Sequence, residues 1–403
     1  MRRAGTGLLV LAVALAACGP RPTPDNPEPV REGGAYQAEY RDPARPAEDP
    51  QARRSAQINA ARCHPPRGDA GPAKGARGLP QALRAEALSP GDLLDIRVAE
   101  DETFTGAYVV SRDGMLRLPF LAPIPVQGRA VEAVEDAIAD ALLAGAFFTQ
   151  PPRLSVRLRD FAPARVTVAG AVFEPRAVEI GGVRGDEVDT ARQAALGAAG
   201  EGRTLSAALR AAGGVRPDAD LSAVELRRGG RLYSLDLRGA VTGAPFEDAL
   251  LLAGDAVSVP SRGCFQSALM VPGPVSPPGI TLFLSNLTQP ATGNAPSAIG
   301  RDAREVPWGT RMMQAVVGAN CVGGTRAGSA HRSAALFTRN PVTGASVVIE
   351  RRIEDMRARP DRDEYDPWLL PGDAIACYDS NVTGIAEIAR VLGLVGAAAL
   401  LAD

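Results

Sequence analysis

Leu88-Ser-Pro-Gly91-Asp92-Leu-Leu-Asp-Ile-Arg-Val98 decides how this chain is read, because its pattern returns twice. The second copy is Leu252-Ala-Gly254-Asp255-Ala-Val-Ser-Val259, and the third is Leu370-Pro-Gly372-Asp373-Ala-Ile-Ala-Cys377. In each, a glycine tolerant of φ > 0 and an aspartate able to bond nearby backbone N–H groups make a tight turn, and an alternating strand follows. Turn capping therefore accounts for Asp92, Asp255 and Asp373 better than catalysis does. Repetition of this kind fixes architecture more firmly than local propensity.

Downstream of the first copy, Tyr108 to Pro119 reads as two short strands about an Asp113-Gly114 hairpin turn. Val131, Val134, Ile138 and Leu142 recur at helical spacing, with Glu132, Glu135, Asp136 and Asp140 on the solvated side, so Val131–Leu143 is expected to be a helix. Leu154–Leu158 and Val166–Val172 alternate as strands, which completes a compact α+β unit. A second element repeats beside the Gly-Asp turns: Val168-Ala-Gly170-Ala-Val172-Phe-Glu-Pro175 matches Val271-Pro-Gly273-Pro-Val275, each read as strand, glycine kink and strand. A helix from Thr204 to the Gly213-Gly214 stop corresponds to one over Trp308–Val317. Strands at 223–227 and 231–237 correspond to strands at 334–338 and 346–350. Two copies of one module follow the α+β unit.

The ends of the chain have a different character. Arg2 and Arg3 precede an apolar run from Leu8 to Ala17, too short to span a bilayer and read as a cleaved export signal. Leu15-Ala16-Ala17-Cys18 resembles a lipobox, with cleavage between Ala17 and Cys18 and the Cys18 thiol as lipid acceptor. The stretch 18–80 is rich in proline and charge and reads as an extended tether, within which Cys63-His64 has no assigned role beyond a disulfide cysteine beside an exposed histidine. At the other end, Val391 to Ala402 holds twelve uncharged residues. On a helical projection Ala386, Ala389, Gly393 and Gly396 fall on one small-residue stripe suited to close packing in lipid, and the hydropathy of 381–403 fits a membrane helix and a helix buried against its own domain or in a soluble partner equally.

Composition limits the function. The 44 basic and 46 acidic residues give −2, and loss of Arg2 and Arg3 would take this to −4, which offers no electrostatic case for nucleic acid. Cys63, Cys264, Cys321 and Cys377 form an even set in a compartment where disulfides persist, with three pairings open. No pair has CxxC spacing and His64 and His331 lie far apart, so no metal site is expected. Two histidines in unrelated segments defend no Ser-His-Asp arrangement, no phosphate loop occurs and no carboxylate pair stands out. No catalytic residue and no cofactor is expected.

In this order the turns, strands and helix resemble the polysaccharide export domain of outer-membrane polysaccharide export lipoproteins. The signature is Pro90-Gly91-Asp92, Asp113-Gly114 with Leu118-Pro119, Val126-Gln-Gly128, Pro152 and the Val168–Val172 strand pair. The two repeats resemble soluble ligand-binding β-grasp domains. The pattern departs from the family at Phe120-Leu121-Ala122, where Leu-Gly is usual, and at Glu174-Pro175-Arg176, where Pro-Gly is usual.

The resemblance implies an α+β chain divided as signal 1–17, tether 18–80, export domain 81–165, β-grasp-like domains 166–262 and 263–380, and membrane helix 381–403. It implies a homo-oligomeric ring that conducts capsular or extracellular polysaccharide across the periplasm and outer membrane. Its partner would be an inner-membrane polysaccharide co-polymerase or ABC-type exporter. The competing expectation is a periplasmic carbohydrate-binding adaptor without a pore.

Overall fold

The computed structural model describes residues 63–68, 79–84, 86–99, 101–181, 200–246, 248–286, 304–322, 332–358 and 365–378. Cys18 with its signal, most of the tether and the 381–403 helix with Ala386, Ala389, Gly393 and Gly396 lie outside the described residues. Those described are mixed α and β and fall into two compact units, one over Cys63–Pro278 and one beginning at Gly279.

The first unit opens with the short helix α1 (Gln81–Arg84) and a three-stranded antiparallel sheet, in which β1 (Leu93–Val98) lies between β2 (Asp101–Val109) and β5 (Leu154–Asp160). Alternation along β1 turns Leu94, Ile96 and Val98 into the core. The helix α2 (Val131–Ala144) covers this core with Val134, Ile138 and Leu142, the residues its periodicity singled out. Complete burial of each contributes about 1.5–3 kcal/mol.

The hairpin expected about Asp113-Gly114 is corrected. The turn forms, with Gly114 N–H bonded to Ser111 O, but β2 ends at Val109 and β3 (Met115–Leu116) pairs with β4 (Ile124–Pro125) instead. One bond of the expected hairpin does form across the turn, Ser111 N–H to Met115 O, while Val110 faces the opposite edge and exchanges bonds with Asp92 O and Gly91 N–H beside the start of β1.

The rest of the first unit is a five-stranded sheet of order β7-β6-β10-β8-β9, built from β6 (Ala164–Gly170), β7 (Arg176–Ile180), β8 (Val224–Arg228), β9 (Arg231–Leu235) and β10 (Ala256–Val259). Only the β6–β10 pair is parallel. Helix α3 (Leu205–Ala211) follows β7, capped by the Thr204 hydroxyl accepting from Ala207 N–H, and buries Leu205, Ala208 and Leu209. A single turn, α4 (Gly239–Thr242), precedes β10.

The second unit repeats this plan element for element. Its sheet has the order β12-β11-β15-β13-β14, from β11 (Gly279–Asn286), β12 (Arg304–Pro307), β13 (Ser333–Arg339), β14 (Ser346–Arg352) and β15 (Ala374–Tyr378). Again the first and last strands, β11 and β15, are the parallel pair. Helices α5 (Met312–Gly318) and α6 (Ile353–Ala358) stand where α3 and α4 stand in the first copy.

Three expectations about the copies need correction. Val271–Val275 is not a strand: a 3₁₀ turn over Ser267–Met270 leads into irregular chain, and Val275 O accepts from Val215 N–H within the first unit. Pro272, Pro274, Pro277 and Pro278 supply no backbone donor, so this stretch cannot complete a ladder, and β11 takes the role of β6. The strand expected to continue past the Gly170 kink is only an isolated bridge, Val172 to Val215, and the neighbour of β6 is β7. The helix expected from Trp308 starts at Met312, because Gly309 sits at φ 83° and Arg311 bridges to Trp368.

Candidate functional site

Each Gly-Asp turn is closed in the same way. Asp92, Asp255 and Asp373 each accept, at 2.8 Å, the N–H of the residue three positions earlier: Ser89, Leu252 and Leu370. Each returns its own N–H to that residue's carbonyl, at 3.1, 3.1 and 3.2 Å. Gly91, at φ 94°, has a second reason to lack a side chain: a Cβ there would lie 2.7 Å from the Ala162 methyl. The capping expected of the three aspartates is what the structure displays. The three turns lead into β1, β10 and β15, strands of three different sheets.

What distinguishes the turns is the far side of each carboxylate. Asp92 meets Arg203 at 2.7 Å, with both side chains fully buried. Ala162 N–H donates to the same oxygen, while Arg203 Nε reaches Leu251 O and the guanidinium lies 4.8 Å from the centre of the Phe161 ring. Burial raises the Asp92 carboxyl above its ordinary pKa, and the Arg203 charge and backbone donors oppose the rise. Arg203 ends the 3₁₀ turn Gly200–Arg203 just before α3, so this pair fastens the three-stranded sheet to the five-stranded one. Ala253 N–H adds a bond to the Ser89 hydroxyl across the same junction, and Leu250 packs against the first core.

Asp255 is gripped by both Nε and Nη2 of Arg228, which also reaches Leu250 O. Asp373 has no salt bridge among the described residues. Burial alone pushes its carboxyl up to about 7, against the pull of Leu370 N–H and of the Thr338 hydroxyl, which makes no hydrogen bond of normal geometry. Asp113 is the opposite case. It is exposed, doubly bonded to Arg117 at 3.0 and 2.6 Å, and held at about 2 by that pair.

The cysteines resolve as Cys63–Cys264 in the first unit and Cys321–Cys377 in the second. Beside the first bond, His64 N–H donates to Arg262 O and Arg262 Nε donates to His64 O. Arg67 N–H bonds the Asp220 carboxylate and Gly68 N–H the Ser222 hydroxyl. Residues 63–68, read as part of the tether, are thus docked on the first five-stranded sheet's loops.

Arg203 and Arg228 were not anticipated as site residues. Arginine is common on surfaces, and nothing local in the sequence marks these two as partners of turns 111 and 27 residues away. Two aromatic rings of the export-like domain, Phe120 and Phe147, were also passed over, although Phe120 sits where the family pattern is broken. In the second unit a cleft of about 360 Å³ is lined by Arg304, Trp308, Thr310 and Gln314, with the Arg304 guanidinium bound to Gly318 O. Among the described residues no group of three or more His, Cys, Asp or Glu is placed to hold a metal ion, and no helix is long and apolar enough to cross a membrane.

Comparison with protein families matches residues 81–159 to the polysaccharide biosynthesis/export protein family. No curated protein matches the chain. The matched residues are those of the three-stranded sheet, its helix α2 and the Asp92 turn. Residues 81–159 are therefore similar to a domain of the polysaccharide biosynthesis/export protein family, a match that suggests a role in polysaccharide export.

Proposed function

We propose that the chain is an outer-membrane lipoprotein, anchored at Cys18, whose copies assemble into a ring that conducts capsular or extracellular polysaccharide across the periplasm and outer membrane. The observation that carries this reading is the family match on 81–159, the domain that Arg203 locks onto the first repeat. The family is one of transport, and conduction by a passive channel needs no catalytic residue. The two five-stranded modules would be β-grasp-like layers stacked along the conduit, and 381–403 would supply the membrane-crossing helices. Energy and polymer would come from an inner-membrane co-polymerase or ABC-type exporter. Two disulfides support residence outside the cytoplasm, where thiols stay oxidised.

Electron microscopy of the detergent-extracted protein tests this directly. Rings with a lumen are expected. Monomers or dimers alone would overturn the conduit and favour a periplasmic carbohydrate-binding adaptor.

A further inference from the structure

Two phenylalanines stand out from the export domain on separate loops. Phe120 is 80% exposed and Phe147 43% exposed. Their ring centroids are 6.5 Å apart and the planes are tilted by 34°. On its other side Phe147 meets the buried ring of Phe104, with centroids 5.2 Å apart and planes at 77°. The pair is an open aromatic step resting on the domain core.

Core packing does not account for Phe120, and the local backbone opposes it. Leu118-Pro119-Phe120-Leu121 is a tight turn closed by Leu121 N–H to Leu118 O, and Phe120 sits at φ 62°. That is a position where glycine or asparagine is usual and a bulky ring is strained. Phe147 is held from the helix end. Ala146 N–H bonds Leu143 O and Phe147 N–H bonds Leu142 O, with Ala146 itself at φ 56°. Gly145 leaves the space the ring uses, since a Cβ there would lie 2.8 Å from two Phe147 ring carbons. Of the three non-glycine residues at positive φ among those described, two therefore belong to this step. Strain gathered at solvent-facing side chains is an indication of function rather than of packing.

We propose that Phe120 and Phe147 form a stacking platform for sugar rings of the exported polysaccharide. This rests on the export reading above and names a contact point within it. A pyranose offers one face of C–H bonds, and a phenyl ring offers the electron-rich face that complements it. Such stacking needs no charge, so it holds a polymer while allowing it to move on, as conduction requires. The neighbouring Asp113 and Arg117 neutralise each other. A second copy of the chain is the poorer occupant. Two phenylalanines bury about 300–500 Å², whereas a stable protein interface takes about 800 Å² from each partner.

Affinity electrophoresis of the full chain tests the platform, with native gels cast with surface polysaccharide purified from the source cells or with dextran. The variants are Phe120→Gly, which suits the backbone angle, Phe147→Ala, and Phe120→Tyr, which keeps a ring. Retardation of the wild type by the purified polymer is expected. Its apparent dissociation constant should rise at least fivefold in Phe120→Gly and Phe147→Ala, stay near the wild-type value in Phe120→Tyr, and change without loss of thermal midpoint. Wild-type retardation in the first two variants, or no retardation of the wild type, overturns the platform. Normal retardation with a reduced particle mass in light scattering assigns the rings to contact between copies and also overturns it. The export reading is judged separately by deleting the whole chain in cells. Loss of surface polymer there, with unaltered retardation in the variants, leaves export standing while the platform falls.

Discussion

At the residue scale the same turn has been built three times with three electrostatic solutions. Asp92 is matched by a buried arginine, Asp255 by a doubly bonded one near the surface, and Asp373 has no salt bridge among the described residues. A buried pair stabilises little beyond an apolar substitute, but removing one partner strands the other. Arg203→Met should therefore cost about 3–5 kcal/mol in the denaturant unfolding of the first unit. Arg203→Met combined with Asp92→Asn should recover a large part of that loss, and a simple sum of the two single effects would show that the pair is not coupled. Asp373 gives a different forecast. Its folded pKa, about 7, lies above the ordinary 3.8, so the folded chain binds the proton more tightly. Stability from this group is then fully present below about pH 4 and declines as pH rises toward 7, by about 1.4 kcal/mol for each pH unit crossed. Asp373→Asn keeps an acceptor for Leu370 N–H and carries no charge. It should flatten this slope and raise the unfolding midpoint of the second unit at pH 8, read by thermal melts from pH 4 to 8.

At the element scale, the disulfides tie strands to distant segments. Cys377 lies in β15, and its bond to Cys321 fixes that central strand to the chain just after α5. Opening the Cys321–Cys377 link, whose ends are 56 positions apart in sequence, should cost about 4 kcal/mol through the unfolded chain's entropy. A Cys321→Ser and Cys377→Ser variant should show this as a lower midpoint for the second unit alone, and equal melting of both forms would refute it. The repeats were legible because the Gly-Asp turn recurs three times, each time ahead of an alternating strand. The helix α2 was legible because its apolar residues recur at one spacing over three turns. The register of the second copy was not legible: Val271-Pro-Gly273-Pro-Val275 imitates the alternation of Val168–Val172, and only the missing proline donors reveal that it cannot pair. Partners of the turns were equally hidden, since Arg203 is joined to Asp92 by the fold and not by proximity in sequence. The copies also differ on their outer faces. In matching register, Thr167 and Arg227 flank Ala256 in the first sheet, where Phe283 and Phe337 flank Ala374 in the second, both about half exposed. Topology has been repeated without repeating the surface.

At the scale of the whole molecule, the proposed conduit attaches to one membrane at both ends, and the two attachments can be separated by experiment. A lipid on Cys18 would contribute roughly 0.8 kcal/mol for each buried methylene, so several chains would hold the protein at the membrane without any spanning segment. The small-residue stripe at Ala386, Ala389, Gly393 and Gly396 would instead let helices from neighbouring copies pack closely within lipid. Cys18→Ser should stay in the detergent-rich phase on phase separation through its membrane helix, and a chain ending at residue 383 should stay there through its lipid, so that only the two changes together should move the protein to the aqueous phase. Surface polysaccharide should nonetheless disappear in cells carrying the chain that ends at 383, because an anchored periplasmic body without its crossing helices leaves the outer membrane closed. Normal surface polysaccharide from that truncation would remove the pore from the proposed mechanism and leave the export domain working as an adaptor on the periplasmic side. Loss of polymer in both variants, with the truncated protein still anchored, would separate the work of the anchor from that of the pore.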